Sequence, residues 1–295
     1  GGEIIISVMG TLGRTIIVPT SWSGWNVNRA LAVARLNQDI DKEFLIQTFR
    51  SPQFEKRIIE EALGSAQKRI NLGDLKSYRI ISPPLPEQRQ IATILSTWDK
   101  AIEKLDQLIK KKRELKKGLM QQLLTGQLRF PEFVPEGGTK YKETKLGRIP
   151  EEWEVVRLTD IASFRNGKAH EKNISEVGEF ILVNSKFIST EGDIIKRTDI
   201  NLSPLNQGEI TMVMSDIPNG RAIAKCFFIE KNGLYTLNQR ICAIKAEHVD
   251  SRYLYYALNR NSYYLRFDNG VSQTNLRKDQ VLSCPLRIPS FSEQF

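Results

Sequence analysis

The most regular hydrophobic pattern in the chain begins at Pro86 and continues to about Gly126. Proline is tolerated in the first turn of a helix, Glu87 suits the positive helix end, and Gly126 is a suitable stop. Between these points large apolar residues recur at steps of three, four or six, at Ile91, Leu95, Trp98, Ile102, Leu105, Ile109, Leu115, Leu119 and Leu123. The spacing predicts one helix of about 40 residues and about 60 Å. A helix of this length cannot be buried in a compact domain, so we expect its apolar stripe to pack against another helix in a coiled coil.

The second half of this helix is strongly basic between Lys110 and Lys117. Two interpretations remain open for this cluster. It is either a solvated helix face or a contact surface for DNA phosphates or a partner protein.

Shorter patterns precede the long helix. Alternating and β-rich runs predict strands at Glu3–Val8, Thr15–Val18, Leu31–Leu36 and Leu75–Ile81. Two helices are expected between them, at Lys42–Arg50 after Asp39-Ile40-Asp41 and from Ser51-Pro52 to about Leu63. The region therefore has the character of a small mixed α/β domain.

The pattern changes again after the long helix. Residues 129–144 contain prolines and glycines without periodicity and are predicted to be a linker, and a second domain opens near Lys145. Predicted strands lie at Phe180–Val183, Ile210–Met214, Ala222–Ile229, Ile241–Lys245 and Val281–Ile288, with a helix at Ser251–Leu258. The predicted fold class is α+β, with small mixed α/β domains joined by a long coiled-coil helix.

Two segments of the chain are similar at a separation of 206 residues. Gly2-Glu3-Ile4 matches Gly208-Glu209-Ile210, and Glu87-Gln88 matches Glu293-Gln294. Between them Gly64 to Gln67 matches Gly270 to Gln273, Gly13-Arg14 matches Gly220-Arg221, and Asn28-Arg29 aligns loosely with Gln239-Arg240. The period exceeds the roughly 20–50 residues of a solenoid repeat. It indicates a duplicated domain, and so two similar binding surfaces.

Composition narrows the class of partner. The formal net charge is +9 and the pI about 9.4, which fits either a generally basic surface or nucleic-acid binding. No apolar run is long enough to cross a membrane, and the first residues have no signal-peptide pattern. Three scattered cysteines and two histidines argue against a zinc site or a disulfide framework and favour the cytoplasm.

Catalytic motifs are not evident. The one Pro-Pro pair, Pro83-Pro84, has the context of a strand-to-helix turn, and no Gly-x-Gly-x-x-Gly loop occurs. Glu191, Asp193 and Lys196 have residue types that nucleases use with Mg²⁺, but short acidic turns followed by lysine are common, so we expect no metal site. His170 has no evident catalytic partner and is expected in a surface loop.

The motifs together resemble one family. The helix start Pro84-Leu85-Pro86-Glu87-Gln88-Arg89-Gln90-Ile91-Ala92 and the helix end from Leu123 to Phe130 resemble the spacer of specificity subunits of type I restriction-modification systems. Residues Gly147 to Trp153 resemble the opening of a target recognition domain. By this resemblance residues 1–85 are the C-terminal part of a first recognition domain, 86–128 the central spacer helix, 129–144 a linker, 145–290 a second recognition domain, and 291–295 the start of a missing second spacer.

The resemblance implies a non-catalytic subunit of a type I deoxyribonuclease and adenine methyltransferase complex, truncated at both ends. Each recognition domain would read one half of a bipartite target in double-stranded DNA. The spacer would dock methyltransferase subunits, and restriction subunits would join them; a homodimer through the spacer is another partner for the stripe. S-adenosylmethionine, ATP and Mg²⁺ would belong to those other subunits. Two alternatives are a fused restriction-methylation enzyme with its catalytic part elsewhere and a purely structural coiled-coil dimeriser, although the latter leaves the duplicated domains unexplained.

Candidate DNA-reading residues lie in polar loops. Arginine pairs with guanine and Asn or Gln with adenine, whereas lysine more often holds phosphates. In the first domain these candidates are Arg14, Asn28, Arg29, Gln67, Lys68 and Arg69. In the second they are Arg165, Asn166, Lys168, Asn184, Lys186, Arg221, Asn238, Gln239, Arg240, Gln273 and Asn275. Each taken alone also fits an ordinary turn or surface residue; their recurrence at matched places in both domains favours DNA contact.

Overall fold

The computed structural model describes residues 2–22, 24–62, 68–216, 222–268 and 274–295. The chain divides into two compact units, unit 1 at Gly1–Arg113 and unit 2 at Glu114–Phe295. The division falls inside the long helix.

Unit 1 is built on a three-stranded antiparallel sheet with helices after it. Its elements are β1 (Ile4–Ser7), β2 (Thr15–Ile17), β3 (Leu31–Ala34), α1 (Lys42–Phe49), α2 (Pro52–Glu61) and α3 (Leu72–Ser77). The strand order is β2-β1-β3. Asp41 caps α1 by accepting bonds from the amides of Glu43 and Phe44, both at 3.0 Å, as its position before a helical pattern predicts. The core joins Ile4 and Ile6 of β1 to Leu45 and Ile46 of α1.

One predicted strand of unit 1 is wrong. Leu75, the expected start of the strand Leu75–Ile81, lies inside helix α3. Asp74 in the first turn and Lys76 in the last complement the helix dipole, so the charges favour a helix where the β-rich composition indicated a strand. Residues 79–81 form no strand.

The long helix α4 (Leu85–Leu123) has 39 residues and confirms the periodicity argument. It ends where predicted. The amides of Gln127 and Leu128 both donate to the carbonyl of Gln122, at 3.0 and 3.2 Å, and Gly126 takes a φ of +71°. This left-handed turn closes the helix and is one that glycine adopts readily.

Unit 2 contains the rest of the strands. They are β4 (Tyr141–Thr144), β5 (Gly147–Pro150), β6 (Glu154–Arg157), β7 (Ala162–Asn166), β8 (Phe180–Val183), β9 (Arg197–Thr198), β10 (Ile210–Val213), β11 (Ser215–Asp216), β12 (Cys226–Phe228), β13 (Tyr235–Leu237), β14 (Ile241–Ala246), β15 (Thr274–Asn275) and β16 (Pro285–Ile288). The helices are α5 (Ser185–Ser189), α6 (Ser251–Leu258), α7 (Ser262–Leu265) and α8 (Lys278–Leu282). The main sheet has the order β12-β10-β14-β7, and β13-β8-β9 forms a second sheet.

Two apolar clusters fill unit 2. The larger packs α6 and α7 against the main sheet, around Ile210, Ile244 and Leu254. The smaller lies between the main sheet and β8, β13 and α5, around Val183, Phe187 and Leu237. The second cluster supports the loops that leave β8 and β13.

Several boundaries in unit 2 differ from the sequence prediction. Part of the predicted linker is regular, because Tyr141–Thr144 pairs with Gly147–Pro150 as a hairpin and Pro131–Phe133 forms a short 3₁₀ helix. The predicted strand Ala222–Ile229 shortens to β12, since Ala224 has a φ of +55° in a turn. The predicted strand Val281–Ile288 begins as α8 and becomes a strand only at Pro285. Residues Phe291–Gln294 form a 3₁₀ helix.

The duplication is visible in the backbone hydrogen bonds. In unit 1 the amide of Ile70 donates to the carbonyl of Val8 at 3.0 Å. The matching bond in unit 2 runs from Leu276 to Met214 at 2.7 Å, 206 residues further along at both ends. The two sheets therefore share one register, β1 matching β10.

A buried glutamine is also repeated. The side-chain oxygen of Gln88 accepts a bond from the amide of Asp41 at 2.9 Å. In unit 2 the oxygen of Gln294 accepts from the amide of Asp250 at 2.7 Å. Both aspartates cap a helix, so each glutamine holds the start of α1 or α6 against the segment that leaves the unit.

Candidate nucleic-acid interface

The predicted DNA-reading residues of unit 2 gather at one end of its sheets. The last pair between β10 and β14 is Val213 with Ile241, and the amide of Met214 then donates to the carbonyl of Arg240 at 3.1 Å. Beside them Lys168 pairs with Asn238. We call the residues at this end the strand-end surface: Asn166, Lys168, Asn184, Asn238, Gln239, Arg240 and Asn275.

The asparagines of this surface shape its loops. The Asn238 Oδ1 atom accepts from the amide of Arg240 at 3.2 Å, and the Asn184 Oδ1 atom accepts from Phe187 at 2.9 Å to cap α5. Gln239 donates from Nε2 to Glu171 at 2.9 Å. These bonds fit the turn and cap interpretation of the three side chains. Lys168 and Arg240 are exposed, so they present positive charge to solvent, as does Lys186 in the first turn of α5.

Gly167 allows the loops to approach closely. A Cβ at this position would lie 2.1 Å from the backbone oxygen of Asn238. The strand end after β7 can therefore lie directly against the 238–240 turn only because residue 167 has no side chain.

Arg165 has a different role from the other candidates. Its guanidinium donates to Glu209 at 2.9 and 3.1 Å, to the Ser203 hydroxyl at 2.9 Å and to the Pro204 carbonyl at 2.6 Å. Since these partners occupy the planar group, Arg165 joins β7 to the 203–209 segment, and we leave it out of the proposed DNA surface.

Unit 1 repeats the turn of the strand-end surface. The Asn28 Oδ1 atom accepts from the amide of Ala30 at 3.1 Å, and the Asn28 carbonyl accepts from Leu31 at 2.9 Å. Asn238 makes the same two bonds, to Arg240 and Ile241. The match is therefore Asn28 with Asn238, and the sequence alignment of Asn28 with Gln239 is wrong by one residue.

Exposed cations surround the turn of unit 1. Arg29 follows Asn28 directly, and Arg69 pairs with Met9 across from β1. Arg14 follows Gly13, which takes a left-handed φ of +75°. Arg14, Arg29, Lys68 and Arg69 are all exposed. Three further candidates, Gln67, Arg221 and Gln273, lie outside the described residues, as does Gly220.

One exposed arginine of unit 2, Arg266, is not among the candidates chosen from the sequence. Arg266 lies 3.9 Å from the ring centroid of Tyr263 and 5.0 Å from that of Phe267. The three residues are at i, i+3 and i+4, which is helical spacing, so the aromatic support of this cation could have been found from the sequence.

The apolar stripe of α4 is open to solvent. Relative exposures are 41% for Leu95, 66% for Trp98, 56% for Ile102, 58% for Leu105, 48% for Ile109, 54% for Leu115 and 38% for Leu119, while Ile91 and Leu123 are partly buried. Ile94 and Leu108, which are not part of the predicted stripe, are 59% and 51% exposed. The surface is apolar enough to bind a helix.

His170 and the cysteines are structural. The His170 side chain is fully buried, with Nε2 3.0 Å from the Thr236 hydroxyl and Nδ1 2.8 Å from the Lys168 carbonyl, so its prediction as a surface residue is wrong. It packs the 168–170 loop onto β13.

Cys226, Cys242 and Cys284 are free and buried, and burial raises the pKa of Cys242 to about 12. Such thiols are unreactive near neutral pH.

Within the described ranges, no group of three or more His, Cys, Asp or Glu residues is arranged to hold a metal ion. No helix in the described part of the chain has both the length and the apolar character needed to cross a membrane.

The chain is thus a duplicated α+β module with polar turns at its strand ends and a long helix with an open apolar stripe. The chain belongs to the type I restriction modification DNA specificity domain family, whose model matches residues 1–117 and 150–295. It is thus a DNA-recognition component of type I restriction-modification, and a non-catalytic one.

The relatives agree with this assignment. The chain is 24% identical over 313 residues to the type I restriction enzyme MjaVIII specificity subunit of Methanocaldococcus jannaschii, covering 99% of this chain and 67% of that protein. Its fold is similar to the type I restriction-modification S subunit from M. genitalium, with a TM-score of 0.62, 19% identity, and coverage of 99% of this chain and 73% of the other. A chain from a structure on complex assembly and conformational transition of the type I system gives a TM-score of 0.54 at 17% identity, with 99% and 71% covered.

Proposed function

We propose that each unit reads one half of a bipartite sequence in double-stranded DNA, unit 2 through its strand-end surface and unit 1 through Asn28, Arg29, Lys68 and Arg69. The observation that supports this most is the repeated Asn turn. In both units the Asn side-chain oxygen and its carbonyl accept from the amides two and three residues on, and exposed cations lie beside the turn. Such loops supply base-edge donors and phosphate contacts together. The net charge of +9 favours DNA association through counterion release.

The test is a substitution at the strand-end surface. Arg240→Ala should weaken binding to one half-site by about 1–3 kcal/mol if the guanidinium contacts a base, and leave the other half-site unaffected. The target would first be found by co-expressing the protein with its methyltransferase and mapping methylated adenines. Binding of the mapped duplex would then be measured by fluorescence anisotropy over a range of salt.

Lys231→Ala is the matched control. Lys231 is also exposed and basic but follows β12 at the opposite end of the sheet from Arg240. It should leave sequence preference unchanged. A loss of affinity for both half-sites in Arg240→Ala, or equal losses in the two variants, would contradict the assignment of one half-site to unit 2.

We further propose that the α4 stripe receives a helix of a methyltransferase subunit or a second spacer helix, and that restriction subunits join this complex. Burying each large side chain fully would contribute about 1.5–3 kcal/mol. Trp98→Asp, at the most exposed position of the stripe, should therefore weaken assembly strongly, measured by sedimentation velocity with and without the methyltransferase. Lys100→Asp, off the stripe, is the control, and unchanged assembly in Trp98→Asp would refute the stripe as the interface.

In this proposal S-adenosylmethionine, ATP and Mg²⁺ act in the partner subunits. We also infer a cytoplasmic location, supported by free cysteines in a chain whose proposed ligand is DNA.

A further inference from the structure

A buried ion pair joins two distant parts of unit 2 where the long helix ends. Arg129 lies just after α4, and Glu293 lies in the last turn of the described chain. The guanidinium donates through Nε and one terminal nitrogen to the two carboxylate oxygens of Glu293, at 2.8 and 3.0 Å. The two side chains are only 5% and 6% exposed. This is the bidentate geometry that arginine makes with a carboxylate, and it fixes orientation as well as distance.

Trp153 completes this contact. Its indole nitrogen donates to Glu293 at 3.0 Å, and its side chain is 2% exposed. We call Arg129, Trp153 and Glu293 the junction cluster. It brings together the exit from the helix, the entrance to the recognition domain before β6, and the exit from that domain after β16.

Close backbone packing surrounds the junction cluster. A Cβ at Gly126 would lie 2.4 Å from Cδ of Pro150 and 3.4 Å from the Trp153 ring, so the helix end can approach the β5 strand only with glycine there. The Tyr141 hydroxyl donates to the Gly126 carbonyl at 3.3 Å. Next to Glu293, Gln294 holds the cap of α6 through Asp250.

The covalent connection alone would not hold this arrangement. Residues 130–140 contain two prolines, two glycines and a single short 3₁₀ turn. A tether of this kind permits rotation of the domain about the helix end. The bidentate pair, the indole bond and the Gly126–Pro150 contact oppose that rotation. A second ion pair of Arg129, with Glu152 at 3.3 Å, and the packing of Leu124 against the larger apolar cluster act in the same direction.

We propose that the junction cluster is a positioning device that fixes the recognition domain of unit 2 on the end of the spacer helix, and so sets the length of the gap between the two half-sites. This rests on the proposed reading of a bipartite target. One base pair displaces a half-site by about 3.4 Å and turns it by about 35° around the DNA axis. A rigid junction rejects a gap one base pair too long or too short, whereas a loose one accepts it. Arg129 and Glu293 thus select the gap and contact no base.

The first measurement does not depend on DNA. Spin labels at Gln121→Cys on α4 and Lys231→Cys on the recognition domain, both in unit 2, report their distance distribution by pulsed electron paramagnetic resonance. Both positions are exposed, whereas the three native cysteines are buried and stay unlabelled. The unsubstituted junction should give a narrow distribution and Arg129→Ala a broad one. Arg129→Lys keeps the charge without the planar fork and should be intermediate.

The second measurement maps adenine methylation in cells that express the full subunit with its methyltransferase. Arg129→Ala should methylate the same two half-site sequences at the original gap and at gaps about one base pair longer and shorter. Glu293→Gln, which retains an oxygen for Trp153, should do so to a smaller extent. Lys225→Ala is the control, because it removes an ion pair of unit 2 with Glu191 away from the junction and should keep the single gap.

The outcomes separate the two proposals. A broadened distribution together with relaxed gaps supports the positioning role. An unchanged distribution in folded Arg129→Ala overturns it, and so does a broadened distribution with the single original gap. If half-site sequences change while the gap does not, the cluster acts on base reading and the positioning role is again refuted. Lack of a bipartite motif with the unsubstituted protein refutes the proposed function, while the distance distribution still decides whether the cluster holds the junction.

Discussion

Units 1 and 2 contain the same three-strand arrangement, but equivalent strand residues are more exposed in unit 1 than in unit 2. Val33 of β3 lies opposite Ile5 just as Ala243 of β14 lies opposite Thr211, in the register set by the 206-residue repeat. Yet Val33 is 44% exposed and Ala243 is 1% exposed. Ile16 of β2, 44% exposed, is the equivalent of Phe227, which packs against the smaller apolar cluster of unit 2. The same strand positions are thus surface in one unit and interior in the other.

The difference lies in what covers the sheet. In unit 2 the covering residues come from β8, α5 and the segment after β9, including Val183, Phe187 and Leu205. Among the described residues of unit 1, no element occupies the place of β8 or α5. Within the described residues, the second layer therefore buries the far face of the sheet in unit 2 and not in unit 1.

A second difference concerns the junctions. Gln88 and Gln294 keep the same bond to a helix cap, but the glutamates before them diverge. Glu293 is buried in the junction cluster, whereas Glu87 is exposed in the first turn of α4. The glutamine-to-cap bonds span 47 and 44 residues, and each lies within one copy of the repeat. The junction cluster instead needs Arg129 and Trp153, which are 164 and 140 positions from Glu293.

The largest expected effect is on the stability of unit 2, from a substitution in the apolar cluster between its main sheet and the layer of β8, β13 and α5. Leu237 is fully buried in the smaller cluster of unit 2, and Val27 is its equivalent in unit 1 at 45% exposure. Leu237→Ala should lower the free energy of unfolding of unit 2 by about 2–5 kcal/mol, because it leaves a cavity. Val27→Ala should cost below about 0.5 kcal/mol, as an exposed substitution does.

Each unit can be followed separately. The three cysteines all lie buried in unit 2, so their rate of reaction with a thiol reagent in increasing urea reports the opening of unit 2 alone. Hydrogen exchange of β1 amides reports unit 1. If Val27→Ala lowered the free energy of unfolding nearly as much as Leu237→Ala, the exposed face of unit 1 would be covered in solution.

The sequence predicted most of what depends on local pattern. The long helix, the helix Ser251–Leu258 and the strand Phe180–Val183 follow from periodicity and flanking caps, and all three are confirmed. The repeat also predicted that the two units contain similar sheets, because similar strand sequences pair in the same register. Two of its alignments are wrong, because loop lengths differ between the copies. Asn28 matches Asn238. Gly13-Arg14 matches Ala224-Lys225, which make the backbone bonds to Val213 that Gly13 and Arg14 make to Ser7.

Contacts between side chains far apart in the sequence could not be predicted from these local patterns. Arg129 and Glu293 are 164 positions apart, and nothing in either local segment indicates the other. His170 lies in a polar segment, and nothing in that segment indicates that its side chain is buried. Its partner is Thr236 on β13, 66 positions away. Arg165 was predicted to face DNA because its residue type suits bases, but its partner Glu209 lies 44 positions away. Candidate sites chosen by residue type alone therefore include residues whose charge is used within the fold.

A smaller effect on stability is expected from the buried glutamine that both units share. Gln88 is 1% exposed and accepts from Asp41, while its amide donates to Asp39, Ser82 and Pro83 at 2.8–3.1 Å. Gln294 is 9% exposed, and within the described residues its side chain bonds Asp250 and Pro289 only. Truncating either leaves the amide before a helix without its partner, which costs about 1–3 kcal/mol.

We expect Gln88→Ala to destabilise unit 1 more than Gln294→Ala destabilises unit 2, because Gln88 has more partners. Hydrogen exchange should show lost protection at the first turn of α1 in one variant and of α6 in the other. Gln90→Ala, an exposed change on the same helix as Gln88, is the control and should change neither. If Gln88→Ala instead left α1 protected while Gln294→Ala exposed α6, the two glutamines would not be equivalent, and the repeat would extend to the sheet alone.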